Sequence, residues 1–102
     1  MTRTRPDAVT ALLHGLGERL GSAPYKVESL SCRDWASATF SGTRHQLTLL
    51  IGAADSAAFL DGIEEAEFAL RGHILADIAV AACEREGDSM RVALEALTVV
   101  ED

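Results

Sequence analysis

Phe68, Leu70, Gly72, Ile74, Ala76, Ile78, Val80 and Ala82 occupy eight successive even positions without one polar residue, while Arg71, His73, Asp77 and Arg85 fall on the odd ones. A period of two belongs to an extended chain, whose side chains point alternately to opposite faces. A helical stripe through Ile74, Leu75, Ile78, Ala81 and Ala82, closed by Gly87, is the competing reading, and it accounts for fewer positions. Residues 68–84 are therefore predicted as a strand. A strand needs a partner, and residues 90–100 supply one, with Val92, Leu94, Ala96 and Val100 on their even face. Pairing even with even residues demands an odd-length connection, so Gly87, Asp88 and Ser89 are predicted as a three-residue loop with a bulge.

The chain before this hairpin divides by the same test of period. Val9, Leu12, Leu13, Leu16 and Leu20 make one helical stripe over residues 6–20, with Pro6 in the first turn and Gly21 after the last. Gly15 and Gly17 weaken that helix and so imply a close packing partner. No strand precedes them, which sets them apart from a phosphate-binding glycine loop. After the breaker at Gly21, Ser22, Ala23 and Pro24 the period returns to two. Leu30, Cys32, Ala36, Ala38 and Phe40 face one way on a first strand, and Leu47, Leu49 and Ile51 on a second. A two-residue turn at Gly42 and Thr43 brings these even and odd sets to one face, pairing Phe40 with His45, Ala38 with Leu47 and Ala36 with Leu49. Residues 53–65 read as a short helix that starts at Asp55 or Ser56, buries Phe59, Leu60 and Ile63, and ends between Asp61 and Glu64.

The expected architecture is α+β in a single domain over residues 1–102: an N-terminal helix, a β-hairpin, a short helix and a longer β-hairpin. Together these form a four-stranded antiparallel sheet with the helices on one face. The other face then carries Trp35, Leu50, Leu75, Leu97 and Val99 among charged residues. Apolar surface of that extent on so small a chain marks an interface, and the expected partner is a second copy in a homodimer.

Sixteen acidic against nine basic residues give a net charge of −7, which opposes nucleic acid and an anionic membrane surface. The longest apolar stretch, around Ile74 to Cys83, is interrupted by Asp77 and falls short of the ~20 residues that span a bilayer. The basic N-terminus has no apolar segment of signal-peptide type behind it. With only Cys32 and Cys83, 51 residues apart (83 − 32), a disulfide framework is not expected. These features together lead to the expectation of a cytoplasmic protein.

No motif of nucleophilic, metal-dependent or phosphate-binding chemistry is present, and no cofactor or metal is expected. On a strand His73 and Asp77 share a face but lie about 13 Å apart, too far to act as a pair. The same geometry separates His73 from Cys83, so no cysteine–histidine dyad is expected within that strand. Cys32 reads as an inert packing residue, His45 as a histidine at the sheet edge beside the turn, and His14 as solvent-facing. Asp34 is the single charge that the alternation places inward, and a bulge that turns it outward is the expected solution. Asp61, Glu64, Glu65 and Glu67 form a solvated acidic run without calcium-site spacing. The function expected from these features is a non-catalytic, self-associating module. The alternative is a small-molecule-binding protein or minor enzyme, its pocket lined by Trp35, His45, His73 and Asp77 at a sheet–helix or dimer seam.

Overall fold

A computed structural model describes residues 7–101, so Pro6 and its expected place in the first helical turn lie outside the described residues. Helix α1 spans Ala8–Leu20; β1 Tyr25–Ala36 and β2 Ser41–Gly52 form the first hairpin; α2 spans Ala53–Leu60 and is followed by a 3-10 turn at Ile63–Glu65; β3 His73–Glu86 and β4 Ser89–Val100 form the second hairpin. The four strands make one antiparallel sheet in the order β1-β2-β4-β3. The second hairpin is thus extended, as its period of two predicts, but β3 begins only at His73: residues 68–72, expected in the strand, are irregular and end in a turn at Arg71 and Gly72.

Asp7 caps α1 by accepting a 2.8 Å hydrogen bond from the Thr10 backbone N–H. At the other end the Gly21 N–H donates to the Gly17 and Glu18 carbonyls. The buried stripe of the helix is Ala11, Leu12, Gly15, Leu16 and Leu20. Gly15 has the close neighbours its position implies: a Cβ there would stand 3.0 Å from Leu70 Cδ2 and 3.1 Å from Phe68 Cδ2. Helix α2 is capped at Gly52 rather than at the expected Asp55 or Ser56, so its N-cap lies three or four residues earlier, and it buries Phe59. Ser56 turns its hydroxyl back to the Ala53 carbonyl at 2.8 Å and is an interior residue of the helix rather than its cap. Arg19 reaches across from α1 to donate to the carbonyls of Phe59 and Asp61, so its cation meets the unpaired C-terminal carbonyls of α2.

Leu12, Leu16, Leu20, Phe59 and Ile63 pack in one core with Leu47, Leu49 and Ile51 of β2, Val92, Leu94 and Ala96 of β4, and Ile78 of β3. These strand residues all project from the same side of the sheet, the helix side. The alternate residues, Leu50, Ala93 and Leu97 among them, project from the opposite side and none belongs to this core among the described residues.

Both turns depart from expectation. The first hairpin closes through residues 37–40, not at Gly42 and Thr43. Ala36 pairs with Ser41, and the loop is held by a 2.8 Å bond from the Ser37 N–H to the Phe40 carbonyl and a 3.1 Å bond from the Phe40 N–H to the Ser37 hydroxyl. Gly42 stays inside β2 because a Cβ there would overlap the Thr98 carbonyl of β4. The glycine serves a close strand approach, and a serine side chain closes the turn. Relative to the expected pairing, β1 slides by eight residues, so Leu30 rather than Ala38 opposes Leu47, and Cys32 rather than Phe40 opposes His45.

The second hairpin turns through two residues, Gly87 and Asp88, with Glu86 paired to Ser89 and Gly87 at φ +63. The odd residue demanded by even-to-even pairing lies inside β3 instead. Register shifts at Ala76 and Ala81 give Ile78 opposite Ala96 and Val80 opposite Leu94 between them. A third shift falls at Glu28 in β1. All three bulges are on the edge strands, where they twist a free edge away from end-to-end pairing with another chain. At the second one the Val80 N–H donates 2.8 Å to Glu64, so one member of the expected solvated acidic run instead covers the sheet edge.

Candidate functional site

The eight residues singled out in the sequence are divided by the sheet. Trp35, Leu50, Asp77, Leu97 and Val99 lie on the face away from the core, whereas His45, His73 and Leu75 lie on the helix side. The bulge at Ala76 is the reason for the split between His73 and Asp77, because one extra residue reverses the facing of everything after it. Leu75 is thereby withdrawn from the expected interface and packs against the core. The side chains of Trp35 and Asp77 thus project from one face and those of His45 and His73 from the other, while His45 and Asp77 both border one cleft. Ile74, expected inward, instead becomes an exposed apolar residue at 51%.

Cross-strand register orders the open face into rows. Trp35, Gly42, Val99 and Ile74 form the first, from β1 through β2 and β4 to β3. Arg33, Arg44, Leu97 and Asp77 form the second, and Ser31, Gln46, Glu95 and Ala79 the third. The basic residues therefore sit on β1 and β2, and the acidic ones on β4 and β3. Arg33 directly opposes Arg44, and like charges so placed repel. Ser31, Arg33, Arg44, Gln46, Asp77 and Glu95 border an open cleft of about 530 Å³. None of these four charged groups takes part in an ion pair among the described residues. Farther along the face Arg91 is satisfied within the chain by Glu86 and by Glu28, whose Oε1 lies 2.6 Å from its Nε. That pairing holds the guanidinium above its ordinary pKa and both carboxyls below theirs.

On the helix side the corrected register brings together groups that sequence reading kept apart. His45 is 1% exposed. Its Nδ1 lies 3.3 Å from Cys32 Sγ on β1, and its Nε2 lies 2.9 Å from the Thr98 hydroxyl on β4. Burial holds the imidazole below its ordinary pKa, with a smaller contribution from His73. Burial also pushes the Cys32 thiol up, with the Asp7 carboxylate at the N-terminus of α1 adding to it. The resting pair is thus a neutral thiol donating to a neutral imidazole, which in turn donates to Thr98. Cys32 is exposed on an edge strand, in contrast to the buried residue expected. His73 stands apart from this chain of bonds, its Nδ1 donating 3.0 Å to the Arg71 carbonyl. Pairing Cys32 with His45 is legible only through the correct turn, because the eight-residue slide hides it. Asp34 is exposed at the end of the same face, opposite Thr43, without any bulge to turn it outward.

Among the described residues no group of three or more His, Cys, Asp or Glu side chains is placed to hold a metal ion, and no helix is long and apolar enough to cross a membrane. The chain matches no family model, no curated protein and no solved structure.

Proposed function

We propose that the chain is a non-catalytic module that pairs with a second copy of itself through the open face of its sheet. The observation that carries this reading is the charge layout of that face: unpaired arginines on the β1 and β2 side, unpaired carboxylates on the β4 and β3 side, and apolar Trp35, Leu97, Val99 and Ile74 beside them. A two-fold axis lying between two such faces, parallel to the strands and midway between β2 and β4, puts β1 of one copy over β3 of the other. Arg33 and Arg44 then meet Asp77 and Glu95 of the second copy, and Trp35 meets Ile74. The same contacts recur on the other side of the axis, as an isologous interface requires. Carboxylates of the second copy would relieve the repulsion between Arg33 and Arg44.

The size of the face agrees. Eleven cross-strand pairs join β2 and β4, so the face is roughly 36 Å long and about 19 Å wide at ordinary strand spacings. That is on the order of 700 Å² per copy, close to the ~800 Å² of a standard stable interface. Bulges on both edge strands favour face-to-face over edge-to-edge association.

Sedimentation equilibrium at low salt tests the reading. The wild-type chain is expected at twice its single-chain mass. Arg44→Glu and Asp77→Arg should each weaken association by at least about tenfold, and the two combined in one chain should restore much of it. A single-chain mass at about 100 µM, a concentration at which a standard interface is expected to be occupied, overturns the proposal. The dipolar cleft would then be left to a small molecule that carries both charges.

A further inference from the structure

We propose that Cys32 is a site of covalent modification by small disulfides, with His45 as its general base and Thr98 as the positioning residue of that base. The reacting side chains project away from the open face, because Cys32, His45 and Thr98 all alternate to the helix side of the sheet, although Cys32 and His45 also border the cleft of that face. Three features carry the inference. The nucleophile, its base and a third group that orients the base stand in hydrogen-bonded sequence at 3.3 Å and 2.9 Å, which is the arrangement that activates a thiol. The base is buried, whereas Cys32 is an exposed residue on an edge strand, its sulfur part-buried against the imidazole. Cys83 is exposed on the same face but opposes Val92, with no histidine beside it, and so serves as an internal comparison.

The step is thiol–disulfide exchange. Cys32 Sγ attacks one sulfur of the reagent, a new S–S bond forms as the reagent's own S–S bond breaks, and the second sulfur departs as a thiolate. The thiol proton passes to His45 Nδ1 and from the imidazolium to the departing thiolate. The reagent supplies the oxidising equivalents, so Cys32 ends as a mixed disulfide and half of the reagent as a free thiol. The charged or titratable groups near the pair are Asp7 at the start of α1, Asp34 on β1 and His73 on β3. The Asp7 carboxylate opposes a resting thiolate, which makes proton removal during attack the decisive contribution.

The test exposes the whole chain to dipyridyl disulfide between about pH 5.5 and about pH 8.5 and follows Cys32 and Cys83 separately by peptide mass spectrometry. Cys83, with no histidine beside it, sets the rate and pH profile of an unassisted thiol in the same chain. Cys32 should instead be nearly flat above the titration of His45 and exceed Cys83 by about tenfold near pH 6.5. A Cys32 rate that runs parallel to that of Cys83, or lags it throughout, overturns the proposal. His45→Gln should return Cys32 to the profile of Cys83, and Thr98→Val should lower the plateau without touching Cys83, with Thr98→Ser restoring it. If circular dichroism shows His45→Gln unfolded, the wild-type profile and the Thr98 pair decide the matter. A plateau that Thr98→Val leaves unchanged removes Thr98 from its role.

Discussion

The buried imidazole of His45 has two partners, and each fixes what the other can do. Removing the Thr98 hydroxyl leaves a buried N–H with no acceptor, which costs more than the bond itself contributes. Thr98→Val should therefore destabilise the fold by about 2 kcal/mol in chemical denaturation, despite a near-identical shape, and Thr98→Ser by less. The pH dependence has a definite sign. Burial holds the folded imidazole below its ordinary value of 6.5, so the unfolded chain binds more protons between the two pKa values. Stability from this residue is fully present above about pH 6.5 and is lost as pH falls through the folded pKa. A melting temperature that does not decline on acidification in that window, or declines equally in a folded His45→Gln variant, would contradict it. Gly42 is a second residue whose role is steric. Because a Cβ there would overlap the Thr98 carbonyl, Gly42→Ala should cost about 2 kcal/mol or more through displaced backbone, against a few tenths for an ordinary strand glycine. Both residues also mark where sequence reading ran out. Glycine beside threonine is strong turn chemistry, and only the approach of β4 reveals that Gly42 belongs to a strand. A turn at Gly42 puts Phe40, not Cys32, opposite His45, and so hides the Cys32–His45 pairing.

At the scale of elements, alternation identified all four strands and the helical stripe identified α1, because both periods arise from local geometry that any buried face must respect. Bulges were not legible in the same way. The even-position run from Phe68 to Ala82 looks unbroken, yet it spans two reversals of facing, at Ala76 and Ala81. Alanine is small enough to satisfy either face, so hydropathy carries no mark of where the reversal falls. The edge amide exposed by the second bulge has a named acceptor, Glu64, reaching from the 3-10 turn. Glu64→Ala should leave that edge open, loosening β3 near Val80 and costing about 1 kcal/mol. Hydrogen exchange at the Val80 amide is the direct readout: faster in the alanine variant, close to wild type in Glu64→Gln. Equal exchange in all three would mean that the carboxylate only decorates the edge.

For the molecule as a whole, the sheet is covered by helices from one side, and folding and association become linked if the other side is covered by a second copy. A dimer that unfolds to two chains is stabilised by mass action, so its melting temperature rises with protein concentration, whereas that of a monomer does not. The size of the effect follows from general unfolding entropies. Two chains of 102 residues lose about 0.43 kcal/mol per kelvin at roughly 2.1 cal/mol/K per residue. A tenfold change in concentration is worth about 1.5 kcal/mol near 60 °C, which moves the midpoint by about 3 °C. Calorimetry over a hundredfold range should thus show a shift of about 6 °C or more. In Arg44→Glu the melting temperature should be lower than wild type at every concentration while the fold remains, because Arg44 takes no part in the core that holds the single chain together. An invariant midpoint in the wild-type chain would separate folding from pairing. An Arg44→Glu melting temperature equal to that of wild type at every concentration would instead place the contact between copies on a surface other than the dipolar rows of the sheet.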